Sequence, residues 1–336
     1  MMFQITVQPS ASAFECAEDE TLLTAALRQG LTIPHGCKDG VCGACKGKVL
    51  GGEFEHGTKA VSLTEADKAA GLALYCCATP KSNMAIECRQ LARSGDFPVK
   101  MLPSRVEKLE KRASDVIEIL LKLPAVEQFR FRPGQFINFL LKDGKRRSYS
   151  IANAPREDNM LELHIRKVDG GLFTTQVFET LKVKDILRFE GPHGGFFLRE
   201  ETDKPMILLA SGTGFAPIKA IVEDCLAKGV TRQMTLYWGC RKPEDLYMHE
   251  LATQWATENT HIRYVPVLSE APDGWGGRTG FVHQAVMADF PDLSAHEVYT
   301  CGVPVMVDAA RKNFVGTCRL PEEAFFADAF TFAANS

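Results

Sequence analysis

The chain has 336 residues and a formal net charge of -3, which leaves no basic field for a nucleic acid to bind. Its N-terminus, Met1-Met2-Phe3-Gln4-Ile5-Thr6-Val7, lacks the charged segment and apolar run of an export signal, and no uncharged stretch is long enough to cross a bilayer. Eleven cysteines without such a signal point to a reducing compartment, so the expectation is a cytoplasmic protein of two or three domains.

Residues 3–8 alternate apolar and polar, as do 13–17, which predicts a hairpin. Thr21 to Gln29 has helical periodicity and stops at Gly30, a favoured C-terminal cap. Gly36-Cys37-Lys38-Asp39-Gly40-Val41-Cys42-Gly43-Ala44-Cys45 follows, with cysteines spaced C-x4-C-x2-C, the spacing of plant-type 2Fe–2S clusters. Its glycines allow positive φ and bring backbone N–H groups near sulfur. Structural zinc would use two close ligand pairs rather than one crowded loop. Disulfides do not fit the compartment. A fourth ligand is expected farther on, and Cys76 or its neighbour Cys77 can supply it. Cys16, Cys88, Cys225, Cys240 and Cys318 read as small buried hydrophobes.

Lys48 to Phe54 reads as a strand, Thr64 as the N-cap of a short helix, and Ile86 to Cys88 as a closing strand. The first domain is expected over 1–93, with Ser94-Gly95-Asp96-Phe97-Pro98 as linker. From 98 to 201 the pattern is short strands with turns: 104–109, 116–123, 135–141, 147–151, 161–167 and 185–190. That spacing predicts a closed antiparallel barrel. Gly191-Pro192-His193-Gly194-Gly195 reads as a turn with a solvated histidine. From 203 to 336 apolar strands at 206–210, 234–238, 262–268 and 298–301 alternate with helices such as 217–227 and 303–314. This predicts a parallel sheet covered on both faces. The whole is a multidomain α+β and α/β protein.

Three short stretches can carry chemistry. Arg147-Ser148-Tyr149-Ser150 combines a guanidinium, which matches phosphate oxygens, with an aromatic face on which a planar ring stacks. Gly170-Gly171-Leu172-Phe173-Thr174 opens a helix whose N-terminus suits a phosphate. Ser211-Gly212-Thr213-Gly214-Phe215-Ala216-Pro217 is a strand-to-helix turn, with Pro217 expected at the first helical position. Arg241, at a strand's carboxyl edge, is placed either toward adenosine phosphates or in solvent.

Taken together, the R-x-Y-S, G-x-G-x-x-P and Cys301-Gly302-Val303-Pro304-Val305-Met306 stretches resemble the ferredoxin–NADP reductase superfamily. The cysteine loop and the local pattern Cys76-Cys77-Ala78-Thr79-Pro80 resemble a β-grasp, plant-type ferredoxin module, which favours Cys76 as the fourth ligand beside Cys37, Cys42 and Cys45. The resemblance implies that module, a Greek-key FAD-binding β-barrel and an NAD-binding sheet, in that order. It implies that Arg147 pairs with the FAD pyrophosphate, Tyr149 packs on the flavin ring and Ser150 approaches flavin N5. Gly171, Leu172 and Thr174 would meet the pyrophosphate, while Gly212, Thr213, Gly214 and Pro217 would border the nicotinamide and Cys301 would lie beside it. Phe330, in the carboxyl-terminal stretch Glu323 to Phe330, is placed either over the flavin or in the core.

Within the superfamily, the stretches 144–150, 209–221 and 273–282 are similar to bacterial CDP-6-deoxy-Δ3,4-glucoseen reductases. Those pass electrons to an iron–sulfur, pyridoxamine-phosphate-dependent dehydrase. The same module order occurs in reductases of multicomponent oxygenases such as phenol hydroxylase. The expected activity is electron transfer from NADH, with NADPH left open, through FAD to the cluster of a monomer and on to a partner protein. Neither a nucleic acid nor a membrane is an expected partner. A redox sensor without turnover would need a crippled nicotinamide site, and intact Gly212, Gly214, Pro217 and Cys301 argue against that.

Overall fold

The computed structural model describes residues 1–35, 38, 40, 43–57, 60–88, 91–93, 97–141 and 144–330. Cys37 and Cys42 lie outside the described residues. The chain forms two compact units, Met1–Pro98 and Val99–Phe330. No helix among the described residues is long and apolar enough to cross a membrane.

In the first unit Met2–Gln8 and Ser12–Ala17 form the expected hairpin, and Met2–Gln8 also pairs in parallel with Met84–Glu87. Lys46–Gly51 and Leu72–Leu74 complete a mixed five-stranded sheet. The helix Leu22–Arg28 starts where Thr21 accepts the Thr24 N–H and buries Leu22, Leu23, Ala25 and Ala26 in a core shared with Ile5, Val7, Phe14 and Ile86. This is the β-grasp arrangement. The strand expected over 48–54 is instead two, Lys46–Gly51 and Phe54–His56. Gly52 separates them at φ +94°, where any Cβ would collide with the Asn83 carbonyl.

The second unit begins with six antiparallel strands in the order Arg146–Ser150, Phe136–Leu140, Ile186–His193, Lys100–Ala113, Val116–Lys122 and Met160–Arg166. A bridge between Ile151 and Leu163 joins the two ends and closes the barrel. Its interior holds Val106, Ile119, Ile137, Phe139, Leu163 and Phe189. His193 departs from the expectation of a solvated turn. The strand Ile186–His193 runs through it, and its ring is buried 5.6 Å from that of Phe136, with Nε2 3.5 Å from Glu190. The strand runs three residues past the expected end at 190, through the Gly-Pro pair.

After the barrel comes a six-stranded parallel sheet in the order Arg278–Thr279, Ile262–Leu268, Met234–Cys240, Met206–Ser211, Glu297–Gly302 and Phe325–Ala329. Met206–Ser211 lies at its centre, with the second strand on one side and the later Glu297–Gly302 on the other. The chain therefore changes direction of winding there, and the crevice beyond the carboxyl ends of these two strands is where such sheets bind ligands. The helices His249–Glu258 and Val282–Asp289 and the edge strand Phe325–Ala329 were not marked by the sequence pattern.

Candidate active site

In the first unit, the Cys76 thiol contacts Cys45 and receives a hydrogen bond from the Gly40 backbone N–H, while Cys77 Sγ lies 3.7 Å from it. All three thiols are buried. The Cys45 neighbour and burial together push the Cys76 thiol well above its ordinary range. Two crowded thiols with a backbone donor fit iron, because a metal ligates the thiolate and removes the proton that this crowding retains.

The crevice of the second unit is built from turns that touch. The sheet strand Met206–Ser211 passes directly into a tight turn, Gly212–Gly214, and then the helix Phe215–Ala227. A Cβ on Gly214 would run into the Cys301 carbonyl, and one on Gly302 would run into the Ser211 hydroxyl. Ser211 Oγ in turn accepts the Val303 N–H at 3.1 Å. Pro217 takes the third helical position rather than the expected first, because the Gly212–Gly214 turn winds straight into the helix. It still falls in the first turn, where an N–H has no partner to lose.

Cys301 and Asp328 sit side by side in register on the last two strands. The Asp328 carboxyl is hydrogen-bonded to Ser150 at the end of the barrel strand Arg146–Ser150. Burial raises this carboxyl to about 7, against the lowering effect of the Ser150 hydroxyl. Burial, with Asp328 beside it, drives the Cys301 thiol well above its usual range. Ser150, Cys301 and Asp328 thus meet where barrel and sheet join.

Arg147 and Tyr149 point to the other face of the same strand. The Tyr149 ring lies 5.5 Å from Phe173, which belongs to the helix Leu172–Glu179. This brings the R-x-Y-S strand and the glycine-opened helix together. Gly171 is the N-cap and supplies no capping side chain, so the first N–H groups of the helix have no side-chain acceptor. Thr174 is buried and its hydroxyl is spent inside the loop, accepting the Val168 N–H at 3.2 Å and donating to Gly171 O at 3.1 Å. Leu172 is exposed. The Arg147 guanidinium donates to the Arg146 carbonyl at 2.9 Å.

Two expected residues stand apart. Arg241 is exposed, 3.8 Å from Asp245. Phe330 is half-buried at the margin of the sheet's core, its N–H bonded to Gly302 O at 2.7 Å. Sequence reasoning missed Asp328 and Arg166. Arg166 Nη1 would lie 2.9 Å from a Cβ on Gly212, and its buried Nη2 has no hydrogen-bond partner among the described residues. The guanidinium is half-buried and pairs through Nε with Asp115 at 3.2 Å, which leaves its Nη2 edge under the glycine turn to face an anionic ligand such as a nucleotide phosphate. The signal was available: Asp328 is the only charge in Phe325-Phe326-Ala327-Asp328-Ala329-Phe330.

Family models match in chain order: a 2Fe-2S iron-sulfur cluster binding domain over residues 5–81, an oxidoreductase FAD-binding domain over 103–198 and an oxidoreductase NAD-binding domain over 208–312. The chain is 40 % identical over 330 residues to a CDP-6-deoxy-L-threo-D-glycero-4-hexulose-3-dehydrase reductase of Yersinia pestis, covering 98 % of this chain and 99 % of that one. It is 36 % identical to the phenol hydroxylase P5 protein of Acinetobacter pittii, over 100 % of this chain and 96 % of the relative. The crystal structure of the Amycolatopsis cytochrome P450 reductase GcoB superposes with a TM-score of 0.78 at 35 % identity, covering 98 % of both chains. The chain belongs to the three-module iron–sulfur flavoprotein reductases of the ferredoxin–NADP reductase superfamily, NAD(P)H-dependent oxidoreductases with FAD and a 2Fe–2S cluster.

Proposed function

We propose that this reductase takes NADH and delivers electrons to a 3-dehydrase acting on a CDP-linked 6-deoxy-4-hexulose. The observation that carries the partner is the 40 % identity over the full length of a reductase named for that dehydrase, against 36 % for a phenol hydroxylase component. We take the modules to span 1–93, 98–201 and 203–336. Cys37, Cys42, Cys45 and Cys76 would hold the cluster. Tyr149 would offer its ring to the flavin, and Arg147 with the open amides at Gly171, Leu172 and the loop braced by Thr174 would receive the pyrophosphate. Arg166, Gly212, Thr213, Gly214 and Pro217 would border the nicotinamide nucleotide, and Phe330 the flavin face.

The bound groups supply hydride transfer at the nicotinamide, exchange between two- and one-electron transfer at the flavin, and one-electron transfer at the cluster. The chain's own task is orientation and a proton. The Asp328 carboxyl, hydrogen-bonded to the Ser150 hydroxyl, would take up or release one proton near neutral pH, with Cys301 alongside. Arg241 would lie at the adenosine, and the acids Glu244 and Asp245 that follow Arg241 and Lys242, with Asp245 3.8 Å from Arg241, offset the basic pair and support NADH over NADPH.

Purified reductase is mixed with NADH and either a pyridoxamine-phosphate 3-dehydrase with its CDP-sugar, or an oxygenase component with phenol. NADH-dependent deoxygenated sugar is expected. Phenol turnover with no sugar product would transfer the assignment to the oxygenase systems.

A further inference from the structure

The barrel strand Met160–Arg166 alternates Leu161, Leu163 and Ile165 with Glu162, His164 and Arg166. The apolar three fill the barrel. The opposite face of such a strand ordinarily meets water, yet Glu162 and His164 are only 8 % and 5 % exposed. What covers them is the nucleotide-binding sheet with its helices. Lys219, on the helix that leaves the Gly212–Gly214 turn, donates to Glu162 at 3.1 Å and to the Ala152 carbonyl at 3.0 Å, and pairs with Glu223 at 2.7 Å. His164 bridges onward, with Nε2 2.8 Å from Glu162 and Nδ1 2.8 Å from the Tyr247 hydroxyl. Tyr247 packs edge-on against Trp238, whose indole N–H donates to the Gly212 carbonyl at 2.9 Å. The strand therefore reaches the same glycine turn by two routes, one through Lys219 and its helix and one through Tyr247 and Trp238.

We propose that Glu162, His164, Lys219 and Tyr247 form a positioning seam that fixes the Gly212–Gly214 turn relative to the flavin barrel and so sets the rate of hydride transfer. This rests on reading residues 99–330 as the flavin–nicotinamide unit. An apolar contact could hold two domains as firmly, but it would tolerate sliding. Buried ionic and hydrogen-bonding groups are satisfied in one register only, which makes them a poor source of stability and a good source of alignment. Both imidazole nitrogens are engaged, Nδ1 with the Tyr247 hydroxyl and Nε2 with Glu162. Burial pushes the Glu162 carboxyl up, but His164 and Lys219 outweigh it and hold the group ionised, at about 2. Hydride transfer tolerates little misplacement, since about 1 Å costs roughly a hundredfold.

The test uses the full chain, loaded with FAD and cluster, as E162Q, Y247F and the paired E162Q/K219M. Rapid anaerobic mixing with NADH reads the limiting rate of flavin bleaching. Hydrogen exchange of the 212–220 amides, in loaded and FAD-free protein, reads the turn without turnover. E162Q is expected to slow bleaching by about 10- to 100-fold and to speed exchange at these amides. Y247F, which keeps the ring, is expected to slow bleaching by about fivefold, the worth of one hydrogen bond. The paired variant removes both charges, so its thermal midpoint recovers while its rate does not. A rate that recovers with the midpoint, or wild-type bleaching and exchange in FAD-loaded E162Q, would overturn the proposal. If NADH bleaches no flavin even in the wild-type chain, the flavin–nicotinamide reading fails instead, and unchanged 212–220 exchange in E162Q would then remove the seam as well.

Discussion

The cysteine loop and the crevice between barrel and sheet are both rich in glycine, yet they are assembled in opposite ways. The proposed cluster takes three of its four ligands from one stretch and the fourth from Cys76, and the Cys45–Cys76 contact lies inside a single small unit. The crevice takes Ser150 from the second strand-rich module and Cys301 and Asp328 from the third. A site of the first kind is a property of spacing. One of the second kind is a property of register between elements far apart in the chain, and each kind fails differently.

The sharpest break in that contrast is Cys76→Ser. Loss of a ligand should lower NADH-driven reduction of a one-electron acceptor such as cytochrome c by roughly a hundredfold or more, while flavin bleaching by NADH stays at the wild-type rate. Cys77→Ser should keep the visible cluster spectrum, and its loss would move the fourth ligand to Cys77. In the crevice, Gly214→Ala forces a methyl onto the Cys301 carbonyl. The turn must shift, so bleaching should fall by about 10- to 100-fold with FAD still bound and the cluster spectrum intact.

Asp328→Asn should have a smaller effect, visible in its pH dependence. The folded carboxyl titrates at about 7, above the ordinary value of about 4. Between those values the unfolded chain has released this proton and the folded chain still holds it, so stability falls as pH rises through that window. The fall in thermal midpoint of FAD-free protein between pH 5 and 8 should therefore be shallower in Asp328→Asn, and the inflection near 7 in the bleaching rate should vanish. An unchanged profile would remove Asp328 as the group that takes up this proton. The smallest effect belongs to Thr21→Ala, which deletes a helix cap in the first unit. It should cost about 1 kcal/mol, measured by denaturant unfolding of the cluster signal, and leave bleaching untouched.

The same contrast explains what could be read in advance. The hairpin at 2–17, the helix between Thr21 and Gly30, and all six barrel strands follow from local alternation and capping chemistry. Lys48 to Phe54 fails as a single strand because Gly51-Gly52 is itself a turn dipeptide, and Gly52 sits at φ +94° against the Asn83 carbonyl. His193 misled because Gly-Pro-His-Gly-Gly has turn composition, whereas Phe136 on the neighbouring strand covers the ring. Glu162 and His164 look like a solvent face, as the polar half of an alternating strand should. Nothing local reveals that a second module packs on that face. Asp328 stands out locally as a lone charge, but its partner Ser150 belongs to a different module and no local pattern names it.

That last contact also orders events in time. Ser150 is made early and Asp328 late, with nearly the whole nucleotide-binding sheet synthesised between them. Phe325–Ala329 can join its sheet only after Glu297–Gly302 is in place, because it pairs with that strand alone among the described residues. The barrel can therefore fold on a growing chain, but the pocket that joins it to the sheet cannot be completed until the final strand docks. On a ribosome stalled before Asp328, iron uptake by the first unit should be separable from the flavin affinity of the finished enzyme.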